Sequence, residues 1–224
     1  MSTRSRGDKG EAFVRKKLAG IKEYHKVIND ITFLNEKTEM THQVDHILVH
    51  PHGVFIIETK NYFGKIISNT GEPFWLKEIK GERTRISNPL KQNKSHAFVV
   101  SKILKRKYEV IPVVVFVKNN APYIGDENVI NINDLKIFID SYPYQKELTK
   151  EEINEIYKTI KSQKSDISKK EHIENIGYLK QINEEIKKEI AYAIESGTCP
   201  RCDHKMVSSG FEYHCSNCDF KFKL

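Results

Sequence analysis

Hydrophobic and polar positions alternate or recur at helical spacing through most of the chain, and they divide it into elements. Phe13, Val14 and Leu18 fall on one side of a helix predicted from about Lys9 to Leu18. "EYHKVINDITF" reads as a strand, followed by the polar turn "NEKTEM". The alternating "QVDHILV" and the run "VFIIETK" then read as a hairpin closed by "HPHG". Pro at the second position and Gly at the fourth suit a type I turn with a bulge. After "NYFGKII", the segments "PFWLKEI" and "RTRIS" read as a short-stranded meander. Asn88-Pro89 opens a helix, with Asn as cap and Pro at the first helical position, that continues through "LKQNKSHAFVVSKILKRK". "VIPVVVFV" is a short, largely β-branched run, as in a strand buried on both faces. A weak strand, "NVINI", and a helix, "DLKIFIDSY", close this unit.

The pattern changes after residue 148. "TKEE" and "SKKE" are capping-box signatures. Behind the second, Ile176, Leu179, Ile182, Ile186, Ile190 and Ile194 recur at helical spacing among Lys and Glu. Residues 149–196 are expected to form a helical hairpin or amphipathic arm ending at Gly197, a helix stop. The expected division is therefore 1–148, 149–196 and 197–224. The first part is of the α/β class, a mixed sheet flanked by helices.

Charge adds one expectation. A formal net charge of +7 favours a polyanionic partner, although a Lys-rich solvated surface gives the same balance. No apolar run approaches the roughly 20 residues of a membrane span. "MSTRSRGDKGEAFVRKK" lacks the apolar core of a secretory signal, so a cytoplasmic protein with no membrane partner is expected.

The hairpin carries Asp45, Glu58 and Lys60, which a plain hairpin does not need. Residues two apart on a strand share a face, so Glu58 and Lys60 point the same way. The turn brings Asp45 opposite residue 58 or 59. Two carboxylates and a backbone carbonyl, that of Thr59, can hold Mg²⁺ or Mn²⁺. Such an ion supplies hydroxide for phosphodiester hydrolysis, and a lysine beside it orients water or meets the anionic transition state. The bland alternative is three solvated charges. Glu58 counts against it, because it directly follows the apolar run "VFII".

"GEAFV", "QVDHILVHPHGVFIIETKNYFGKI" and "NPLKQNKSHAF" together resemble the nuclease-related domain (NERD) family of the PD-(D/E)XK nuclease superfamily. The resemblance spans roughly residues 7 to 120. It implies a restriction-endonuclease-like fold, Asp45 and Glu58 as metal ligands, and Lys60 as the catalytic lysine. It also implies Glu11 as an accessory acid and Gln92 and His96 as supporting polar residues on one helical face. Val44 stands where the superfamily's nominal motif has proline, a position with no catalytic task. His42, His46, His50 and His52 form a tempting cluster, but His46 falls on the opposite strand face from Asp45, and His50 and His52 flank the turn. They are not expected to be ligands.

All four cysteines lie in the last 26 residues as C-x2-C, twelve residues, C-x2-C. Two such knuckles supply the four thiolates of tetrahedral structural Zn²⁺, with no position open for catalysis. Cys199, Cys202, Cys215 and Cys218 are the expected ligands. The module resembles the zinc ribbons attached to bacterial topoisomerases, with the last two cysteines more closely spaced. Phe211, Tyr213, Phe220 and Phe222 would either stack on unpaired bases beside Lys205, Lys221 and Lys223 or cover the metal.

The leading expectation is a Mg²⁺- or Mn²⁺-dependent deoxyribonuclease. The ribbon would hold DNA, and Lys65, Lys77, Lys80, Arg83 and Arg85 would bind backbone phosphates. The family resemblance points toward mobile-element maintenance or defence against foreign DNA. The alternatives are a silent nuclease scaffold that binds nucleic acid, or an adaptor that pairs through the 149–196 arm with itself or a protein partner.

Overall fold

Five strands form the central sheet of the computed structural model: β1 (Lys26–Asn35), β2 (Met40–His50), β3 (Gly53–Lys60), β7 (Val110–Phe116) and β8 (Val129–Asn131), in the order β1-β2-β3-β7-β8. The first two pairings are antiparallel and the last two parallel, so the sheet is mixed. The structure describes residues 3–35, 40–68, 72–118, 121 and 124–223. The centre of the "NEKTEM" turn lies outside them.

Both faces of the sheet are covered, which explains the unbroken apolar runs of β3 and β7. On one face, α1 (Thr3–Ala19) and α3 (Leu135–Ser141) bring Val14, Leu18, Leu135 and Ile139 against Leu48, Phe55, Ile57, Val113 and Val115. The opposite face receives α2 (Pro89–Ile103) and α4 (Lys150–Ser162). There Ala97, Val100, Ile153, Ile156 and Ile160 meet Ile47, Val49, Val54 and Ile56. Each buried isoleucine of α4 contributes about 1.5–3 kcal/mol relative to exposure. The α4 start carries the capping box foreseen at Thr149 and Glu152, each side chain bonded to the other residue's backbone N–H.

Two helix ends differ from the pattern. The first helix begins at Thr3 because nothing between Thr3 and Asp8 forbids it, although those residues have no apolar face. The α2 helix stops at Ile103, where Lys105 and Arg106 adopt positive φ of 52° and 57°. Arg106 N–H reaches back to Ser101 O at 2.8 Å, a Schellman-like closure made without glycine.

A second sheet, β4 (Lys65–Ile67), β5 (Phe74–Ile79) and β6 (Glu82–Ser87), follows β3 in the chain. Its β5–β6 turn places Lys80 and Gly81 at φ of 52° and 86°, the positive values that a two-residue hairpin loop favours.

The chain divides into two compact units, 1–169 and 170–224. The second contains all but the first residue of α5 (Lys169–Ser196) and a three-stranded sheet of β9 (Met206–Ser209), β10 (Glu212–Cys215) and β11 (Lys221–Lys223). Its own core gathers Ala193, Cys199, Met206, Cys215, Phe220 and Phe222. No helix among the described residues is long and apolar enough to cross a membrane.

Candidate active site

The pairing of β2 with β3 ends at His46–Ile57. Continued in register, Val44 would face Thr59. Instead the Thr59 N–H donates to Asp45 Oδ2 at 2.8 Å. Even-numbered residues of β3 exchange bonds with β7, as in Val54 N–H to Glu109 O and Val117 N–H to Lys60 O. The Thr59 carbonyl therefore faces the β2 side, where the ladder has ended. The gap left in the ladder between the two strands is thus flanked by a carboxylate and a backbone oxygen.

Glu58 stands beside that gap and is buried. Its Oε1 accepts from Lys60 Nζ at 2.5 Å, and His96 Nε2 of α2 lies 3.9 Å from its Oε2. Burial, and then the charge of Glu58, push the Asp45 carboxyl well above the ordinary carboxylate range. Burial alone would lower the Lys60 ammonium, yet the adjacent Glu58 carboxylate holds its pKa above the usual lysine value. Two crowded acids with one raised pKa form a donor set whose repulsion a divalent cation would relieve. Asp45, Glu58 and the Thr59 carbonyl fit Mg²⁺ or Mn²⁺, which prefer hard oxygen ligands.

Glu11 approaches through α1, close enough that its charge also raises Asp45. Gly10 makes this approach possible. A Cβ there would lie 2.9 Å from Asn61 Cβ and 3.3 Å from Thr59 Cγ2, so only glycine lets α1 come this close to β3. Asn61 Nδ2 then donates to Arg6 O at 2.9 Å and ties down the preceding turn of the helix.

The α2 helix presents His96 and Asn93 inward, whereas Gln92 is exposed. Asn93 Nδ2 donates to Ile56 O at 2.7 Å and to Val113 O at 2.9 Å, pinning the helix across β3 and β7. Asn88 caps the helix, accepting from Leu90 N–H and Lys91 N–H. Sequence reasoning missed Gly10, Asn61 and Asn93. Asn93 had a signal: a poor helix former in phase with Ala97 and Val100 on the apolar face.

The histidines do not form one cluster. His46 Nδ1 lies 2.7 Å from Asn29 Oδ1, away from the acids. His52 stacks on Tyr144 and packs edge-on against His50, and His42 packs edge-on against His96. Glu23, His50 and Asp140 bring ligand atoms within 4.8 Å of one another. Lys136 already offsets those acids, at 2.6 Å from Asp140 and 3.9 Å from Glu23.

The cysteine ligand atoms also gather within 4.8 Å, with Cys199–Cys218 sulfurs 3.6 Å apart and Cys202–Cys215 sulfurs 3.4 Å apart. Backbone N–H groups of Arg201, Asn217 and Cys218 point at Cys199 or Cys215 sulfur, as thiolates held in zinc knuckles require. The arrangement is compatible with a zinc ribbon. Phe220 and Phe222 are buried in its core, so those two cover the cluster, whereas Phe211 is 80% exposed.

Among the outlying cations, Arg83 is paired with Glu78 at 2.8 Å. Lys65, Lys80 and Arg85 are exposed and Lys77 is half-buried.

No solved structure matches the chain. It is 30% identical over 162 residues to an uncharacterized protein of Bacillus anthracis, an alignment covering 69% of this chain and 75% of that protein. Residues 6–117 match the nuclease-related domain, the stretch holding Glu11, Asp45, Glu58, Lys60 and His96. By that match, spanning half of its length, the chain belongs to the nuclease-related domain family.

Proposed function

We propose that the protein is a Mg²⁺- or Mn²⁺-dependent deoxyribonuclease, probing DNA with residues 1–148 and steadying it with the ribbon of residues 197–224. The observation that carries this reading is the gap beyond His46–Ile57, where Asp45, the Thr59 carbonyl, Glu58 and Lys60 converge. Asp45, Glu58 and the Thr59 carbonyl would hold the ion, which supplies a hydroxide near neutral pH and offsets charge on the phosphate. Lys60 would orient the attacking water and neutralise the developing negative charge on the phosphoryl oxygens. Protonated Lys60 is a donor rather than a base, in keeping with its raised pKa.

Glu11 would accept a hydrogen bond from the water shell on the α1 side. His96, anchored on α2 by Asn93, would keep Glu58 in place, and Gln92 on the exposed side would meet the substrate backbone. Cys199, Cys202, Cys215 and Cys218 would bind structural Zn²⁺. Lys65, Lys77, Lys80 and Arg85 would contact phosphates. The α5 arm would connect the two functions and offer its isoleucine stripe to another chain.

Supercoiled plasmid and linear single-stranded DNA, incubated with Mg²⁺, with Mn²⁺ or with neither, test the proposal. Metal-dependent cutting that Glu58→Gln abolishes is the expected result. Intact DNA under every condition, with unchanged DNA binding in the variant, would sink the nuclease reading.

A further inference from the structure

The alternation of β3 separates two surfaces at its C-terminal end. Lys60 turns toward α2 and bonds Glu58, while the next residue, Asn61, turns toward α1 and bonds Arg6 O. On Asn61's side lies a groove of about 770 Å³ between α1 and α3, distinct from the acidic gap. Asn61 and Lys118 line its end at the site, Leu18 and Leu135 contribute to its floor, and Lys16 and Lys17 stand along α1. Phe13 lines it too, with 56% of its surface exposed. Nearby, Phe63 is 55% exposed and carries Lys118 Nζ 5.1 Å from its ring centroid.

Apolar lining, exposed aromatic rings and cations without a described carboxylate partner have a specific combined meaning. Every base has an apolar π-face, and single-stranded nucleic acid exposes those faces together with its phosphates. A duplex hides its bases, so it would gain from the lysines but not from Phe13 or the floor. Lys16, Lys17 and Lys118 have no carboxylate partner among the described ion pairs, leaving their charge available to phosphates. We propose that the α1–α3 groove binds single-stranded DNA, seating bases against Phe13 and phosphates against Lys16, Lys17 and Lys118, and so leads one strand around the end of β3 to the acidic gap. This deepens the nuclease reading and rests on it for the location of the cut, but not for the binding itself.

Fluorescence anisotropy with an oligothymidylate of about 15 nucleotides, and with a duplex of the same length, tests the groove. The Glu58→Gln protein without added Mg²⁺ serves as background, so the probe stays intact and the zinc is not stripped. Phe13→Ala is expected to weaken single-strand binding by about 5- to 150-fold, the range for one lost base stack, with little effect on the duplex. Lys16→Glu with Lys17→Glu should weaken it further and lower the salt slope by about 1.4, as for two lost phosphate contacts. Lys158→Glu, exposed on α4, is the charge control and should change little. Unchanged single-strand affinity in the groove variants, or equal losses for both probes in Phe13→Ala, would overturn the proposal, as would a wild-type protein that does not bind the single strand. Plasmid cleavage separates the two readings. Groove-dependent binding without cutting removes only the nuclease, and cutting with groove-independent binding removes only the groove.

Discussion

Lys60 Nζ and Glu58 Oε1 lie 2.5 Å apart in a pair whose side chains are 16% and 5% exposed. One carboxylate oxygen cannot serve an ammonium and a metal ion equally well, so metal binding and this ion pair are linked. Removing only the acid leaves a buried cation without its partner, at a cost of about 3 kcal/mol. Glu58→Ala should therefore lower the urea midpoint. Adding Lys60→Met to it should recover most of the loss, because an apolar pair needs no partner. A double variant as unstable as the single one would show that the site is held together by something else.

Lys60→Ala removes the other half of the pair, so it should also lower the urea midpoint, and its effect on chemistry is read as a rate on the folded protein. Glu58 keeps His96 beside it and remains available to a metal. The expected loss is about 100- to 10,000-fold in the rate of DNA cutting, the range for removing a positioned proton donor. The metal concentration for half-maximal activity should fall, because a competing cation has gone. A rate within a few-fold of wild type would exclude the assigned role.

Gly10 and Gly7 make a matched comparison on one helix. Alanine at position 10 must push α1 away from Asn61 and Thr59, costing about 1–3 kcal/mol and displacing Glu11. At position 7 nothing lies within 4 Å of the new methyl group, so alanine should stabilise by about 0.5–1 kcal/mol. Thermal melts and cleavage assays of the two variants check this. Equal behaviour would mean that the close approach of α1 does not matter.

His46 sets an acid dependence. Burial first, then the charge of Arg15, lower its pKa to about 4. The unfolded chain takes up this proton near pH 6.5, whereas the folded one resists it down to about 4. Stability from the neutral ring is thus complete above pH 6.5 and declines as the pH falls toward 4, by up to about 1.4 kcal/mol per unit. Asp45, with a raised pKa, works in the opposite direction over acid pH. Urea titrations of wild type against His46→Gln isolate the histidine. Parallel curves from pH 7.5 to 5 would refute the assignment.

One zinc per chain is expected from the four gathered cysteines. Cys199→Ser should lose it and unfold the ribbon. The ribbon core draws only on residues from Ile190 to Phe222, so the thermal transition of the sheet-bearing unit should stay within about a degree. Metal analysis and calorimetry test both halves of this expectation.

What the sequence revealed depended on whether a requirement was local. The hairpin was legible because a period of two and a tight turn fix which residues meet: Asp45 is expected opposite residue 58 or 59, and its carboxylate accepts from Thr59 N–H. The gathering of the four cysteines was legible for the same reason. Gly10 was silent because its neighbour, Asn61, lies 51 positions away and the constraint exists only after folding. Asn93 lay one position from Gln92, where the family pattern drew attention first. The helix carrying Lys150–Ser162 was recognised by its cap, but nothing in its spacing disclosed that its isoleucines rest on the central sheet.

That last packing separates kinship from self-sufficiency. The match to the nuclease-related domain ends at residue 117. Yet Ile153, Ile156 and Ile160 cover one side of the sheet, and Leu135 and Ile139 cover part of the other. A fragment cut at the limit of that match would keep every proposed catalytic residue and leave two oily faces open to water. It would aggregate before it could be assayed, whereas a fragment reaching residue 169 would carry its own cover.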